Sequence, residues 1–384
     1  MMNGDRIHHR LVLHFPGFEL TGAEHHYQRF VRECQKFQTV WDIHQDIDPL
    51  ENSKGVSSWQ TSTHSTDWSV STRIVLMEWA SFLNQHPKPT FWRQICGLAP
   101  SYFAHFLTSA PWRFFKANWR YGLFFMYPIM VVAAITLFSL AIAWGSSELI
   151  SELPVPVLAA ISLVVFIVTF TKLAPRWKIP LELELFHHTY SMALGQNKIA
   201  HSRLAAFSDI IKQEIETSTA DEIIITTHSF GSVYATAALA KVLRENPGLL
   251  KGKKLTLIAI GSNLLHIGLM KQANWLRNDL ELVLAQNNIQ WIEVYATNDP
   301  ICFYKTGPDK VITNPPANSL ISRRVRFSRM IDQTRYRHIR GKFFRLHRQL
   351  IMANDHRYFF DFYHILFGPN RAVKQLQHDQ ETTV

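Results

Sequence analysis

Ser229 lies in a segment whose residue types could present a nucleophile. The segment from Glu222 to Ala238 reads EIIITTHSFGSVYATAA: a β-branched run, a short turn, and small residues typical of a closely packed helix. A sharp turn between a buried strand and a helix lifts a serine hydroxyl above a sheet, and a small residue two positions later lets that turn close. Gly231 meets this need. The segment therefore predicts a serine nucleophile at a strand-to-helix turn.

The turn departs from the common GxSxG pattern at Thr227, because this sequence reads THSFG. The branched side chain of Thr227 occupies a position where the pattern usually has glycine and where little room exists. Two interpretations therefore stay open. Ser229 is a nucleophile, or it is a non-catalytic serine in a βα turn or in a site that has lost activity.

With these residues the chain resembles the α/β-hydrolase superfamily, in particular bacterial membrane-associated, lipase-like members of poorly assigned function. The resemblance covers most of the soluble chain and rests on LHFPGF, THSFGS, NDPICF and FFRLHRQLIMAND. It implies two oxyanion donors, the backbone N–H of Phe230 after the nucleophile and that of Phe18 in the loop 14–18. Gly17 would let that loop approach a substrate closely, although an ordinary Pro-Gly turn explains the loop equally well.

The resemblance also implies an acid and a base that follow the serine in chain order. Asp299 comes immediately after the strand-like run 291–297 and fits the acid. Two later acids remain as alternatives: Asp309 and Asp332. For the base, His347 matches the position in the similar group, whereas His356 has the better local pattern of a loop followed by a helix. We favour His347 and keep His356 open.

No metal or nucleotide cofactor is expected. The paired histidines at 25–26 and 187–188 lack the i, i+4 spacing of a helical zinc site, and HExxH, GxxxxGK and GxGxxG are all absent from the sequence. The three cysteines, which are scattered without CxxC spacing, favour a reducing compartment over a disulfide framework. We therefore assign no cofactor.

Two long apolar runs predict a transmembrane hairpin with spans at about 121–144 and 154–173. The first run carries no formal charge, and a spanning helix needs about 20 residues. The connector contains Glu148 and Glu152, whereas basic residues flank both outer ends. Because loops rich in Lys and Arg stay in the cytoplasm, both termini are expected to be cytoplasmic, in what we expect to be the bacterial inner membrane. A buried helix pair in a soluble protein is the alternative.

The hairpin divides the chain into 1–110, 111–178 and 179–384. The two outer parts are expected to form one hydrolase domain, the last with the nucleophile turn and a basic tail region. Strand-like runs at 10–15, 39–47, 222–227, 254–260 and 291–297 and helical patterns at 22–37, 71–84, 181–215, 232–244 and 270–286 predict an α/β fold. Such alternation indicates a mostly parallel sheet with helices on both faces, interrupted by the hairpin.

The formal charge of +10 is concentrated between Arg323 and Arg348, where aromatic residues interleave with the basic ones. A solvated face, an anionic lipid surface and nucleic acid are the three interpretations of such a run. Nucleic acid is disfavoured because no nucleic-acid-binding motif accompanies the charge. The hairpin favours membrane lipids as partners, and the sequence says nothing of the oligomeric state.

Two functions follow as hypotheses. In the first, the chain is a membrane-anchored serine hydrolase that cleaves an ester or thioester, with lipid esters as the leading substrates because of the anchor. In the second, it is an inactive membrane-tethered scaffold or binding protein that keeps a hydrolase fold, since a fold alone does not establish activity. Thr227 and the uncertain histidine support the second.

Overall fold

A computed structural model describes residues 6–53, 55–79, 90–150, 153–313, 315–316 and 320–377. The chain divides into two compact units, one of residues 1–85 with 197–384 and the other of residues 86–196. The second unit extends beyond the predicted hairpin at 111–178 on both sides.

The first unit is built on a mixed, mostly parallel sheet. Its described strands lie in the order β2-β4-β5-β1-β6-β7-β8-β9, and β3 pairs with β4. All pairs from β5 to β9 are parallel, whereas β4 runs antiparallel to each of its neighbours. The strands are β1 His9–Phe15, β2 His44–Ile47, β3 Glu51–Ser53, β4 Val56–His64, β5 Ser69–Leu76, β6 Glu222–His228, β7 Leu255–Ile260, β8 Ile289–Ala296 and β9 Leu320–Val325. Both sequence pieces thus contribute to one sheet, as predicted.

Some helices of the first unit lie between these strands in the chain, and the last five follow β9. The helices of this unit are α1 Ala23–Trp41, α7 Lys198–Thr217, α8 Gly231–Glu245, α9 Leu264–Gly268, α10 Asn274–Leu284, α11 Phe327–Met330, α12 Gln333–Ile339, α13 Phe343–Gln349, α14 Phe362–Phe367 and α15 Ala372–Gln377; α2 to α6 belong to the second unit. Every residue of β6 and β7 is buried, so their continuous apolar runs suit the centre of a covered parallel sheet. The predicted α/β class is confirmed.

The helix predicted at 71–84 is wrong where the structure describes it. Ser69–Leu76 forms strand β5, in which Val70, Thr72 and Ile74 are buried at alternate positions. That period of two is typical of a strand. The apolar residues that follow it have a spacing that also fits one face of a helix, which explains the wrong prediction. Residues 80–84 of this prediction lie outside the described residues.

Two other boundaries differ from prediction. Helix α1 continues to Trp41 and ends at Asp42, which adopts a left-handed conformation (φ 54°), so the strand expected from 39 begins only at His44. The long helix expected over 181–215 is interrupted at Gly195, whose φ of 67° ends one helix before the next begins.

The second unit is helical and contains the apolar pair. A π-helical turn, Arg93–Leu98, leads into α2 Ala99–Leu107, followed by α3 Ala110–Ala117, α4 Trp119–Leu149, α5 Val155–Leu173 and α6 Ile179–Ala193. Helices α4 and α5 pack against each other, and each is long and apolar enough to cross a membrane by length and composition. They cover the predicted spans, with α4 longer at both ends than expected. Residues 151–152 of the connector are outside the described residues.

Candidate active site

The candidate residues of the first unit lie beyond the carboxyl ends of neighbouring parallel strands. Ser229 follows β6, Asp299 follows β8, and His347 lies in α13 after β9. The loop 16–18 follows β1, the direct neighbour of β6. Ligand sites of open α/β sheets form at this edge, because the loops there converge. Serine, aspartate and histidine thus follow β6, β8 and β9 of one sheet, in that chain order.

Ser229 forms a sharp turn between β6 and α8. Its φ is 53°, in the left-handed region that residues other than glycine rarely adopt, at a cost on the order of 1–3 kcal/mol. Neighbouring groups hold this conformation. The Ser229 N–H donates to the Ile260 carbonyl (2.9 Å), and the Ser229 carbonyl accepts from the Ser232 hydroxyl (2.7 Å). A strained serine at this position is what a nucleophile turn requires.

Two glycines allow the turn to touch the loop after β1. A Cβ at Gly231 would lie 2.4 Å from the Phe15 carbonyl oxygen and 2.5 Å from that of Pro16. A Cβ at Gly17 would lie 2.7 Å from His228 Nδ1 and 3.3 Å from Ser229 Cβ. Both positions therefore need glycine for close approach. The loop that carries the proposed donor Phe18 is packed directly against the serine turn.

Trp79, a residue the sequence did not single out, binds the same two segments together. Its indole N–H donates to the Pro16 carbonyl (2.7 Å), and its fully buried ring lies 5.7 Å from the ring of Phe18 and 5.3 Å from that of Phe230. The two residues proposed as oxyanion donors thus share one aromatic neighbour. A large apolar ring beside them keeps water away, which strengthens any hydrogen bond made there.

Thr227 is accommodated within β6 rather than in the turn. It is fully buried and pairs in register with Phe15 of β1 and Ala259 of β7. Its hydroxyl has no hydrogen-bond partner within the described part of the chain. The positive φ falls on Ser229 itself, so a branched residue two positions earlier needs no unusual conformation.

Asp299 and His347 form a buried pair. The Nδ1–H of His347 donates to Oδ2 of Asp299 (2.6 Å), while Oδ1 accepts from the Ile301 N–H (3.0 Å). Asp299 is fully buried and His347 is 6% exposed. An aspartate on Nδ1 selects the tautomer whose Nε2 can accept a proton. His347 Nε2 is buried and makes no hydrogen bond to any described residue, so this acceptor is unused.

Ser229 does not hydrogen-bond to His347 in the described structure. Its Oγ instead accepts from Nδ2 of Asn263 (3.1 Å), and the Asn263 N–H donates to the Ser229 carbonyl (3.2 Å). Asn263 is buried just after β7, at the same edge of the sheet. Catalytic hydrogen bonds are often long or absent before substrate binds. Asn263 could have been noticed from IAIGSN, a buried strand that ends in polar residues.

His228 is a further residue that the sequence did not single out. Its ring lies 4.6 Å from the ring of His347, and its Nε2–H makes a long hydrogen bond to the His347 carbonyl (3.4 Å). Burial, followed by the nearby His347, lowers the pKa of His228 well below its usual value. His228 is therefore neutral at physiological pH and packs against the ring of the candidate base without adding charge.

The alternative candidates lie elsewhere. The His356 ring is 2.9 Å from Asp332, and both side chains are more than half exposed. Asp309 pairs with Lys310 at 2.8 Å. The structure therefore brings His347, rather than His356, together with Asp299. No cluster of metal-binding side chains occurs among the described residues.

The basic run 323–348 is partly structural. Arg323 belongs to β9 and donates to the Leu376 carbonyl, and Arg335 pairs with Asp355 at 2.9 Å. The remaining basic residues of this run are exposed: Arg324, Arg326, Arg329, Arg337, Arg340, Lys342, Arg345 and Arg348. Among them Arg348 is also 3.4 Å from Glu19, in the chain just after the loop 16–18.

Comparison of the chain with protein-family models, with curated proteins and with solved structures found no match.

Proposed function

We propose that the chain is a membrane-anchored serine hydrolase of the α/β-hydrolase type that cleaves an ester or thioester. One observation carries the proposal: a serine in a strained strand-to-helix turn occurs on the same sheet edge as a buried aspartate–histidine pair with an unused Nε2. Strain at a single polar residue and a buried histidine hydrogen-bonded to a carboxylate are both features of functional sites.

In the proposed reaction, Ser229 Oγ attacks the acyl carbonyl while His347 Nε2 takes the hydroxyl proton. The carbonyl π electrons move to oxygen, and the N–H groups of Phe230 and Phe18 would bind that oxyanion. The imidazolium, stabilised by Asp299, then returns the proton to the leaving alcohol or thiol as the acyl-enzyme forms. Water then attacks the acyl-enzyme and gives a proton to His347 Nε2, the bond from the acyl carbon to Ser229 Oγ breaks, Oγ takes that proton, and the carboxylic acid is released.

The contact from Asn263 is compatible with this reaction. A hydroxyl carries one donor and two acceptor sites, so Ser229 can accept from Asn263 and still donate to His347. The reaction requires a rotation of the serine side chain or a shift of the His347 ring that brings Oγ and Nε2 into hydrogen-bond contact. The absence of a hydrogen bond between Ser229 and His347 in the described structure favours the competing function, an inactive scaffold.

Helices α4 and α5 support integral membrane insertion, with the hydrolase unit and both termini on the cytoplasmic side because basic residues flank the outer ends. Lipid esters are then the leading substrates, and the exposed arginines of the basic run would contact anionic headgroups. Resistance to carbonate extraction tests the insertion, and recovery in the soluble fraction would contradict it.

Hydrolysis of a short soluble thioester or p-nitrophenyl ester by the purified full chain tests the enzyme proposal. We expect turnover by the wild type and by Ser202→Ala, a matched control at an exposed serine of α7, and none by Ser229→Ala. Equal activity of the wild type and Ser229→Ala would reject Ser229 as nucleophile. Inactivity of the folded, inserted wild type on every ester tried would favour the scaffold.

A further inference from the structure

The helical segment 91–107 of the second unit carries both buried and exposed apolar side chains. One side is buried: Leu98, Tyr102 and His105 face inward. The Tyr102 hydroxyl donates to the Phe125 carbonyl of α4 (2.8 Å), and its ring lies 5.3 Å from that of Phe186 in α6. This side explains how the segment packs within its unit.

Other apolar side chains of this segment and of the helix that follows it are exposed. Leu107 is 89% exposed, Trp112 of the following helix 73%, Trp92 68% and Phe103 55%. We call this set the apolar face; its members are Trp92, Ile95, Phe103, Phe106, Leu107 and Trp112. Single exposed apolar residues are ordinary, but a group of this size on consecutive helical turns indicates a surface that is covered in use.

We propose that the apolar face lies in the headgroup region of the lipid bilayer. The segment 91–107, together with α3 up to residue 117, is then an interfacial element and not only a connection to the membrane-spanning helices α4 and α5. The inference rests on the proposed membrane insertion of α4 and α5. Three observations favour lipid as the occupant.

The first is continuity. Helix α3 ends at Ala117, α4 begins at Trp119, and the two pack against each other, so the segment reaches the bilayer surface where the first span starts. The second is composition, because tryptophan prefers the membrane interface and Trp92, Trp112 and Trp119 are all exposed. Helices with one apolar and one packed or polar side lie in the interface plane in this way.

The third observation is charge. No acidic residue occurs in the sequence between Glu78 and Glu148, whereas Arg93, Arg113, Lys116 and Arg120 lie within that stretch. Each basic residue near an anionic leaflet is attracted by about 1 kcal/mol. Arg93 also pairs with Glu184 of α6 at 3.4 Å, whereas Arg113, Lys116 and Arg120 lie nearest the start of the first span.

Cys96 offers a direct test. It is exposed on the segment, whereas Cys34 and Cys302 are buried. The full chain is labelled at Cys96 with the fluorophore NBD and reconstituted in phosphatidylcholine–phosphatidylglycerol vesicles. Quenching of the NBD fluorescence is then measured with 5-doxyl lipid, 12-doxyl lipid or aqueous iodide. Two control labels, each in a Cys96→Ser background, are Lys251→Cys on the exposed surface of the first unit and Leu163→Cys in α5.

We expect 5-doxyl lipid to quench the Cys96 label at least threefold more than the Lys251 control, and more than 12-doxyl lipid does. The Leu163 label should be quenched best by 12-doxyl lipid. If Leu163 responds in this way while Cys96 behaves like Lys251, the face is not interfacial although the anchor is inserted. A Leu163 label insensitive to both lipids would overturn insertion itself. A Cys96 label shielded from iodide and from both doxyl lipids would mean that protein covers the face, which also overturns the inference.

Discussion

Nδ2 of Asn263 donates a hydrogen bond of 3.1 Å to Oγ of Ser229, and the backbone of Asn263 holds the carbonyl of the same serine. Asn263, in the loop after β7, therefore fixes both the hydroxyl and the main chain of Ser229. The contact leaves the hydroxyl proton of Ser229 available for a base. It also gives the serine a defined orientation before substrate arrives.

Asn263 is expected to act as a positioning residue. Replacing Asn263 with Ala removes the donor and should lower kcat about tenfold, which corresponds to one hydrogen bond of roughly 1.4 kcal/mol. Asn263→Asp should cost more, because a carboxylate cannot donate and repels the charge that develops at Oγ. The kcat and KM of both variants on one soluble ester measure this, and an unchanged kcat in Asn263→Asp would rule out the role.

Gly231→Ala is expected to disrupt the site because the new Cβ would meet two carbonyl oxygens at 2.4 and 2.5 Å. Forcing an extra methyl group into such a contact typically costs about 1–3 kcal/mol, and here the displaced atoms belong to the loop after β1. The temperature of thermal unfolding and the rate of ester hydrolysis should both fall. The control is Gly248→Ala, where nothing lies within 4 Å; if the two variants behave alike, close approach is not the reason for Gly231.

The base is tested by two histidine substitutions. His347→Ala should abolish hydrolysis, since Nε2 is the proposed proton acceptor and Asp299 fixes its tautomer. His356→Ala should leave a folded and active enzyme, because that ring pairs only with the exposed Asp332 in the described structure. The reverse pattern of activities would transfer the role to His356.

Protonation of His26 is expected to contribute to acid destabilisation. Arg29 donates to Nδ1 of His26 (2.9 Å), and burial lowers the pKa of His26 from 6.5 to about 4. Below pH 6.5 the unfolded chain binds a proton that the folded chain excludes, so this histidine's stability contribution is lost as pH falls from 6.5 toward 4.

At pH 5 the loss from His26 amounts to roughly 2 kcal/mol, from 1.4 kcal/mol per pH unit. Urea unfolding of the wild type and of His26→Asn at pH 7.5 and pH 5 isolates this loss, because other titrating groups are common to both proteins. The wild type should lose more stability than the variant over this interval. Equal losses would show that His26 titrates normally in the folded protein.

The sequence predicted those features that depend on local pattern. The β-branched run before Ser229 and the small residues after it specify a buried strand and a packed helix, and both are present. The positions of Asp299 and His347 relative to the strands could also be predicted from the sequence. The left-handed φ of Ser229 could not, because the backbone of this residue is held by Ile260 and Asn263 on other segments as well as by the nearby Ser232.

Contacts between distant segments also explain what the sequence missed. Trp79 lies 63 residues from Pro16 and His228 lies 119 residues from His347, so neither has a local signal for its neighbour. Strand β5 was mistaken for a helix because its last residues are all buried, which hides the period of two. Only the pairing of β5 with β1 and β4 determines the outcome there.

The central claim is that Ser229 is an activated nucleophile, and covalent labelling tests it most directly. The full chain, inserted in vesicles, is treated with a fluorophosphonate and the adduct is located by peptide mass spectrometry. A single adduct on Ser229, lost in Ser229→Ala and slowed at least a hundredfold in His347→Ala, is the predicted result. No adduct on folded wild type, or an adduct on a different serine that survives Ser229→Ala, would contradict it.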